Sequence, residues 1–181
     1  MIPQGEALRT ERLILRRWRP EDEAPMVAIN SDPAVTEFLN RRMDAAATAT
    51  FLDRTARHWA EHGFGHWAIE PVDGPLAGQL IGFVGVAYPS YLPELAERPE
   101  LGWRLASPSW GSGYATEAAF AARDDAFTRL ALPELISIIH PDNTRSRRVA
   151  AKAGMTIERQ VRNETLGRDV DVWHLPAKSA I

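Results

Sequence analysis

The chain has 181 residues, 45% hydrophobic and 25% charged, a balance that suits one globular unit with a single core. A net charge of −3 gives no electrostatic reason to expect nucleic-acid binding, and the absence of cysteine removes disulfides, thiolate metal sites and a cysteine nucleophile. The N-terminus MIPQGEALRTERL lacks the apolar core of a secretion signal, and no stretch approaches ~18 apolar residues, so a cytoplasmic protein without membrane contact is expected.

Leu8 to Trp18 approximates strand alternation and predicts a first strand. Arg19 and Pro20 break it. Glu21, Asp22 and Glu23 then suit the positive end of a helix running through Met26 and Ile29 to Asn30. Asp32 and Pro33 read as cap and first residue of a short second helix. Asp44 to Glu61 places Ala45, Ala49, Leu52, Ala56 and Trp59 near one face of a longer one. Phe64 to Glu70 and Leu80 to Tyr88 are expected to pair as strands across the turn-rich Pro71 to Gly78.

A proline-punctuated loop, Pro89 to Pro99, precedes a strand at Glu100 to Leu105. The next helix, Ala115 to Leu130, carries small residues at Ala115, Ala119, Ala122 and Ala126, a stripe that lets it lie close on a sheet. Leu135 to His140 reads as a strand and Ser146 to Ala153 as a helix ended by Gly154. Strands near Met155 to Arg162 and Arg168 to Leu175 complete a mixed α/β domain spanning residues 1–181.

Candidate chemistry lies in the second half of the chain. Glu100, Gly102 and Arg104 share one strand face, so Gly102 opens a notch between two ionisable side chains; a solvent-facing pair on an edge strand is the plainer reading. The bend Gly111-Ser112-Gly113 leads into a helix whose unpaired N–H groups favour a phosphate-bearing ligand, or it is simply a tight corner. Asn143 and Ser146 sit three apart at a helix start, as caps or as ligand contacts. Arg145, Arg148 and Lys152 form one basic face, solvated or flanking an anion.

Other features point away from chemistry. His58, His62 and His66 recur every four residues, but Gly63 and Gly65 interrupt the helix, and no metal site is expected. Trp59, Trp67 and Trp173 are assigned to the core, Trp18 and Trp110 to the border of a cleft. Asp169 and Asp171 share a strand face, where they recognise a cationic amine or protect an exposed edge.

Five segments in order carry a resemblance: RTERLILRRWRPED, IGFVGV, ELGWRL, WGSGYATEA and HPDNTRSRRVAAKAGM. Together they resemble the GNAT superfamily of N-acetyltransferases, in particular the branch of ribosomal-protein N-terminal and related small-amine acetyltransferases. One departure stands out: Trp110 occupies the position where the phosphate loop of the superfamily usually opens with Gln or Arg.

The resemblance implies a twisted mixed sheet whose fourth and fifth strands splay to admit pantetheine, and acetyl-CoA as cosubstrate with no metal. Gly111, Ser112, Gly113, Tyr114, Ala115 and Thr116 would bind the pyrophosphate through main-chain N–H groups. The strand edge Trp103, Arg104 and Leu105 would pair with pantetheine, and Asn143 would contact its amide. Arg148 or Lys152 would reach the adenosine phosphate. Glu100 would deprotonate the amine, directly or through water, and Ser146 would serve the leaving thiolate as general acid. The acceptor is a protein N-terminus or a small-molecule amine, its determinants in Ser31 to Met43 and Tyr88 to Pro99. A homodimer would follow the family. The alternatives are a CoA-binding sensor of the same fold without turnover and a structural interaction protein without CoA affinity.

Overall fold

A computed structural model describes residues 7–39, 43–163 and 167–177. The expected first strand is a hairpin, β1 (Ala7–Arg9) and β2 (Leu13–Arg16). Thr10 turns the chain: its hydroxyl accepts from the Leu13 N–H at 2.9 Å, while its own N–H donates to the Leu13 carbonyl at 3.0 Å. The remaining strands are β3 (His66–Pro71), β4 (Gly82–Ala87), β5 (Glu100–Leu105), β6 (Glu134–Ile139), β7 (Thr156–Asn163) and β8 (Arg168–Pro176). They form one eight-stranded sheet in the order β1-β2-β3-β4-β5-β6-β8-β7.

The helices are α1 (Glu23–Ser31), α2 (Pro33–Thr36), α3 (Ala45–His62), α4 (Tyr114–Thr128) and α5 (Thr144–Lys152). Capping sets their starts. Asp32 accepts from the Ala34 N–H at 2.9 Å and Asp44 from the Ala47 N–H at 2.8 Å. Gly63 ends α3 with φ +73°, a left-handed geometry that penalises other residues. The helix expected from Ser146 begins at Thr144, because the Asn143 side chain accepts from the Ser146 N–H at 3.1 Å and so is the N-cap.

β4 supplies both faces of the sheet through strand alternation. Val84 and Val86 join the main core beneath Ala118, Ala119, Ala122 and Ala126 of α4. Ala118 thus belongs to the small-residue stripe, and Ala115 is only half-buried. On the opposite face Phe83 packs with Met26 and Ile29 of α1 and Phe51 of α3. Trp59, Trp67 and Trp173 are core residues, as the sequence predicts.

Every neighbouring pair of strands is antiparallel except β5 and β6, which α4 connects. These two are paired only at Glu100 and Ile136. One position further on, the Ser137 hydroxyl donates to the Leu101 carbonyl at 2.6 Å in place of a main-chain N–H, and the ladder ends. Counting the N-terminal hairpin as the single strand expected, these are the fourth and fifth strands. Among the described residues, no helix is long and apolar enough to cross a membrane.

Candidate active site

Main-chain direction decides what the gap offers. Successive residues of a strand point their N–H and C=O groups to alternate sides. Because the Pro99 and Leu101 carbonyls meet β6 groups, Trp103 and Leu105 turn their main chain into the gap, while that of Arg104 faces β4. The Leu105 carbonyl is taken by the indole N–H of Trp110 at 2.9 Å. The Trp103 N–H and C=O and the Leu105 N–H therefore line an open strand edge.

That edge leads to the start of α4. Gly111 and Gly113 have φ +79° and +84°, the left-handed geometry glycine adopts without strain. No side chain caps the helix at Gly113, so the N–H groups of Tyr114, Ala115 and Thr116 have no acceptor within the helix. Arg12 fixes the bend from outside. It donates to the Ser112 carbonyl at 2.9 Å and to Glu117 at 2.8 Å, and its guanidinium lies 4.9 Å from the Tyr114 ring centre. Arg12 thereby neutralises the Glu117 carboxylate beside the helix start, and the Thr10 hydroxyl, donating to Glu117 at 2.6 Å, ties the β1–β2 turn to α4.

A cavity of about 360 Å³ follows these groups. Gly111, Gly113, Tyr114, Ala115 and Thr116 line one end, Trp103, Arg104 and Leu105 one wall, and Asn143, Ser146, Arg148 and Lys152 the α5 wall. Of the residues expected around a cofactor, Ser112 alone lies outside the lining, since its carbonyl is turned to Arg12. Arg145 lies over Trp110 at 4.3 Å and pairs with Glu37 at 3.0 Å. The donors present suit a diphosphate with an extended amide-bearing arm: an uncapped helix start, a vacant strand edge and cations on α5.

A second cavity, about 430 Å³, opens on the α3 side and contains Glu100. The two cavities share Phe38, Leu39, Trp103, Arg104 and Ser146, so they meet where the strands part. Glu100 is half-buried, and burial pushes its carboxyl from the ordinary 4.5 up to about 7 despite the hydrogen bonds that favour its charged form. The Tyr91 hydroxyl donates to both carboxylate oxygens, at 2.7 and 2.8 Å. Burial, reinforced by this carboxylate, raises Tyr91 well above an ordinary phenol and keeps it a donor. Phe51, Phe83 and His66 form a neighbouring wall with ring centres 4.8 to 5.7 Å apart. Burial holds His66 neutral by lowering it to about 3.

Several expectations need correction. β5 lies inside the sheet, and Glu100 and Arg104 do not pair: Arg104 donates to Asn30 Oδ1 at 2.7 Å and lies over Phe83. Trp18 sits behind the cleft, packed on Phe51 and Phe83, with its indole N–H on the His66 carbonyl at 2.9 Å. β8 is flanked by β6 and β7, and buried Asp171 is held by Arg147 at 2.9 Å, whereas Asp169 stays exposed with Arg162 3.6 Å away. His58 spends both ring nitrogens on the main chain of Phe64 and Tyr88.

Sequence reasoning missed Arg12, Arg54, Tyr91 and Arg168. Only Arg12 carried a signal, in the RTERL segment with Glu117 in the first turn of the later helix. The others come from loop and rim positions without a recurring pattern.

Comparisons with known proteins agree with this geometry. Residues 12–156 match the model of an acetyltransferase (GNAT) domain. An acetyltransferase structure from Agrobacterium tumefaciens is 31% identical, covers 93% of each chain and superimposes with a TM-score of 0.80. The uncharacterized N-acetyltransferase YoaA of Bacillus subtilis is 28% identical over 83% of both chains. The fold is also that of YncA from Salmonella typhimurium, whose structure includes its cofactor acetyl-CoA, at 18% identity and a TM-score of 0.71 over 93% of this chain and 95% of the other.

Proposed function

The chain belongs to the GNAT acetyltransferase family, and from that premise we propose how its residues move an acetyl group from acetyl-CoA to a primary amine. The observation that carries the reading is Glu100, set near neutrality in a cavity that joins the vacant β5 edge at Trp103 and Ser146. Residues 1–181 act as one domain.

The N–H groups of Tyr114, Ala115 and Thr116, with Gly111 and Gly113 giving close access, hold the pyrophosphate. Trp103 and Leu105 hold the pantetheine arm as an added strand, and Asn143, whose Oδ1 caps α5, offers its amide N–H groups to that arm. Arg148 and Lys152 face the nucleotide phosphates from α5.

Glu100 takes a proton from the acceptor ammonium, directly or through one water, because only the neutral amine has a lone pair to attack with. The Trp103 N–H receives the charge that develops on the carbonyl oxygen. A C–N bond forms and the C–S bond breaks, with its electron pair leaving on sulfur. Ser146 hydrogen-bonds that sulfur. The second proton lost by nitrogen balances the thiol, while the first passes from Glu100 to water. A domain that only senses CoA has no use for a carboxylate held near neutrality beside Tyr91.

The test is thiol release from acetyl-CoA over a panel of amines, with acetylated products identified by mass spectrometry. Glu100→Gln is expected to lower kcat/KM by about 10²–10⁴-fold while coenzyme A affinity is kept. Full activity in this variant would remove Glu100 from the chemistry, and CoA binding without turnover on any amine would favour the sensor.

A further inference from the structure

The acceptor cavity is markedly cationic. Three guanidinium groups line it, those of Arg54, Arg104 and Arg168, against one carboxylate, Glu100. Arg54 enters from α3, on the side of β3 and β4, and Arg168 from β8, beyond β6, so they bracket Glu100 from opposite sides of the gap. Arg104 is fixed between them by Asn30.

The outer two have unspent capacity. Arg54 makes no ion pair among the described residues; it lies 6.0 Å from the Phe51 ring centre, and its charge reaches Glu100. Arg168 donates through Nη2 to the Phe38 carbonyl, but its Nε is buried and has no hydrogen-bond partner among the described residues. A buried guanidinium N–H left without an acceptor is costly, and desolvation pulls this side chain below the ordinary value for arginine. Phe38, Phe51, Phe83 and Val170 give part of the wall an apolar surface.

We propose that the acceptor is a small primary amine carrying its own negatively charged group, a carboxylate or a phosphate, on an apolar body, and that Arg168 and Arg54 hold that group while Glu100 receives the ammonium. This rests on the acetyl-transfer reading above. The cavity repels polycations and strands the arginines against neutral amines. A free amino acid presents a carboxylate one carbon from its amine, whereas a protein N-terminus presents a neutral amide there. The charge arrangement therefore favours the small molecule. Three nearby cations also make the neutral, attacking form of the amine easier to reach. Bond changes are those already given: C–N forms, C–S breaks, and the anionic group takes no part.

The experiment compares kcat/KM for L-phenylalanine and L-methionine with their amides, alongside 2-aminoethylphosphonate, a tripeptide beginning with methionine, and spermidine. The wild-type protein is expected to prefer an anionic amine over its neutral counterpart by about 10- to 100-fold. The amino acids and the phosphonate decide which anion fits. In Arg168→Gln the ratio of acid to amide is expected to collapse towards one, mainly through KM; coenzyme A affinity reports whether the fold is kept. Arg54→Gln, at an exposed position, repeats the test without touching a buried group. Equal or better acetylation of the amides, the tripeptide or spermidine, or an unchanged ratio in both variants, overturns the proposal and leaves acetyl transfer standing. Failure of every amine to react overturns both.

Discussion

At the scale of single residues, the proposed chemistry rests on opposing pulls at Glu100. Burial raises its carboxyl to about 7, while the Tyr91 hydroxyl and the nearby Arg54 charge pull it down. Activity is therefore expected to rise with pH through about 7, as Glu100 becomes the ionised base, in a pH profile of kcat/KM. Tyr91→Phe removes a bond that favours the carboxylate, so that rise should shift to higher pH; a shift downward would contradict the assignment. The same group carries a stability cost. Its folded value lies above the unfolded 4.5, so the native state binds more protons, and stability is lost as pH climbs from 4.5 to about 7. Discounted for solvent screening of this half-buried group, the penalty above that range is on the order of 1–3 kcal/mol. Glu100→Gln should consequently unfold at a higher temperature than the wild type at pH 8 and show no such gain at pH 4.

Among the elements, the start of α4 and the end of the β5–β6 ladder do most to shape the site. Gly113 is held at φ +84°, and a Cβ there would approach Arg12 Nη2 to 3.4 Å. Gly113→Ala is expected to cost about 1–2 kcal/mol in backbone strain. It should also raise KM for acetyl-CoA more than it lowers kcat, measured by steady-state kinetics and thermal unfolding. Much of this element was legible: the glycine-punctuated bend, the strand Glu100–Leu105 and the helix after them appear in the sequence with nearly correct limits. The cap at Asn143 was legible from its residue type, since an Asn three residues before Ser146 at a helix start announces one. Tyr91, Arg54 and Arg168 were not legible as a group. They lie on a loop, a helix and a late strand, and only the folded sheet brings them to one cavity.

For the molecule as a whole, a buried ion network joins the N-terminal hairpin to the α1 side. Arg16, 7% exposed, forks onto Asp22 at 2.7 and 2.8 Å and reaches Glu70 on β3 at 2.8 Å. Strand alternation in the sequence gives no notice that this arginine is interior, because the partners that neutralise it lie 6 and 54 residues away. Arg16→Ala leaves Asp22, 2% exposed, without its counter-charge and should cost about 3–5 kcal/mol in urea unfolding. A loss below 1 kcal/mol would mean that water replaces the guanidinium freely. Fold class and strand order along the chain were readable from the sequence, whereas the N-terminal hairpin and the interior place of β8 depended on pairings between distant segments.

The most direct test of the whole account is a crystal structure with coenzyme A bound. The pyrophosphate oxygens are expected within about 3 Å of the Tyr114, Ala115 and Thr116 N–H groups, with the thiol beside Trp103 and Ser146 and facing Glu100. A nucleotide seated away from the start of α4, or a thiol outside the β5–β6 gap, would contradict it.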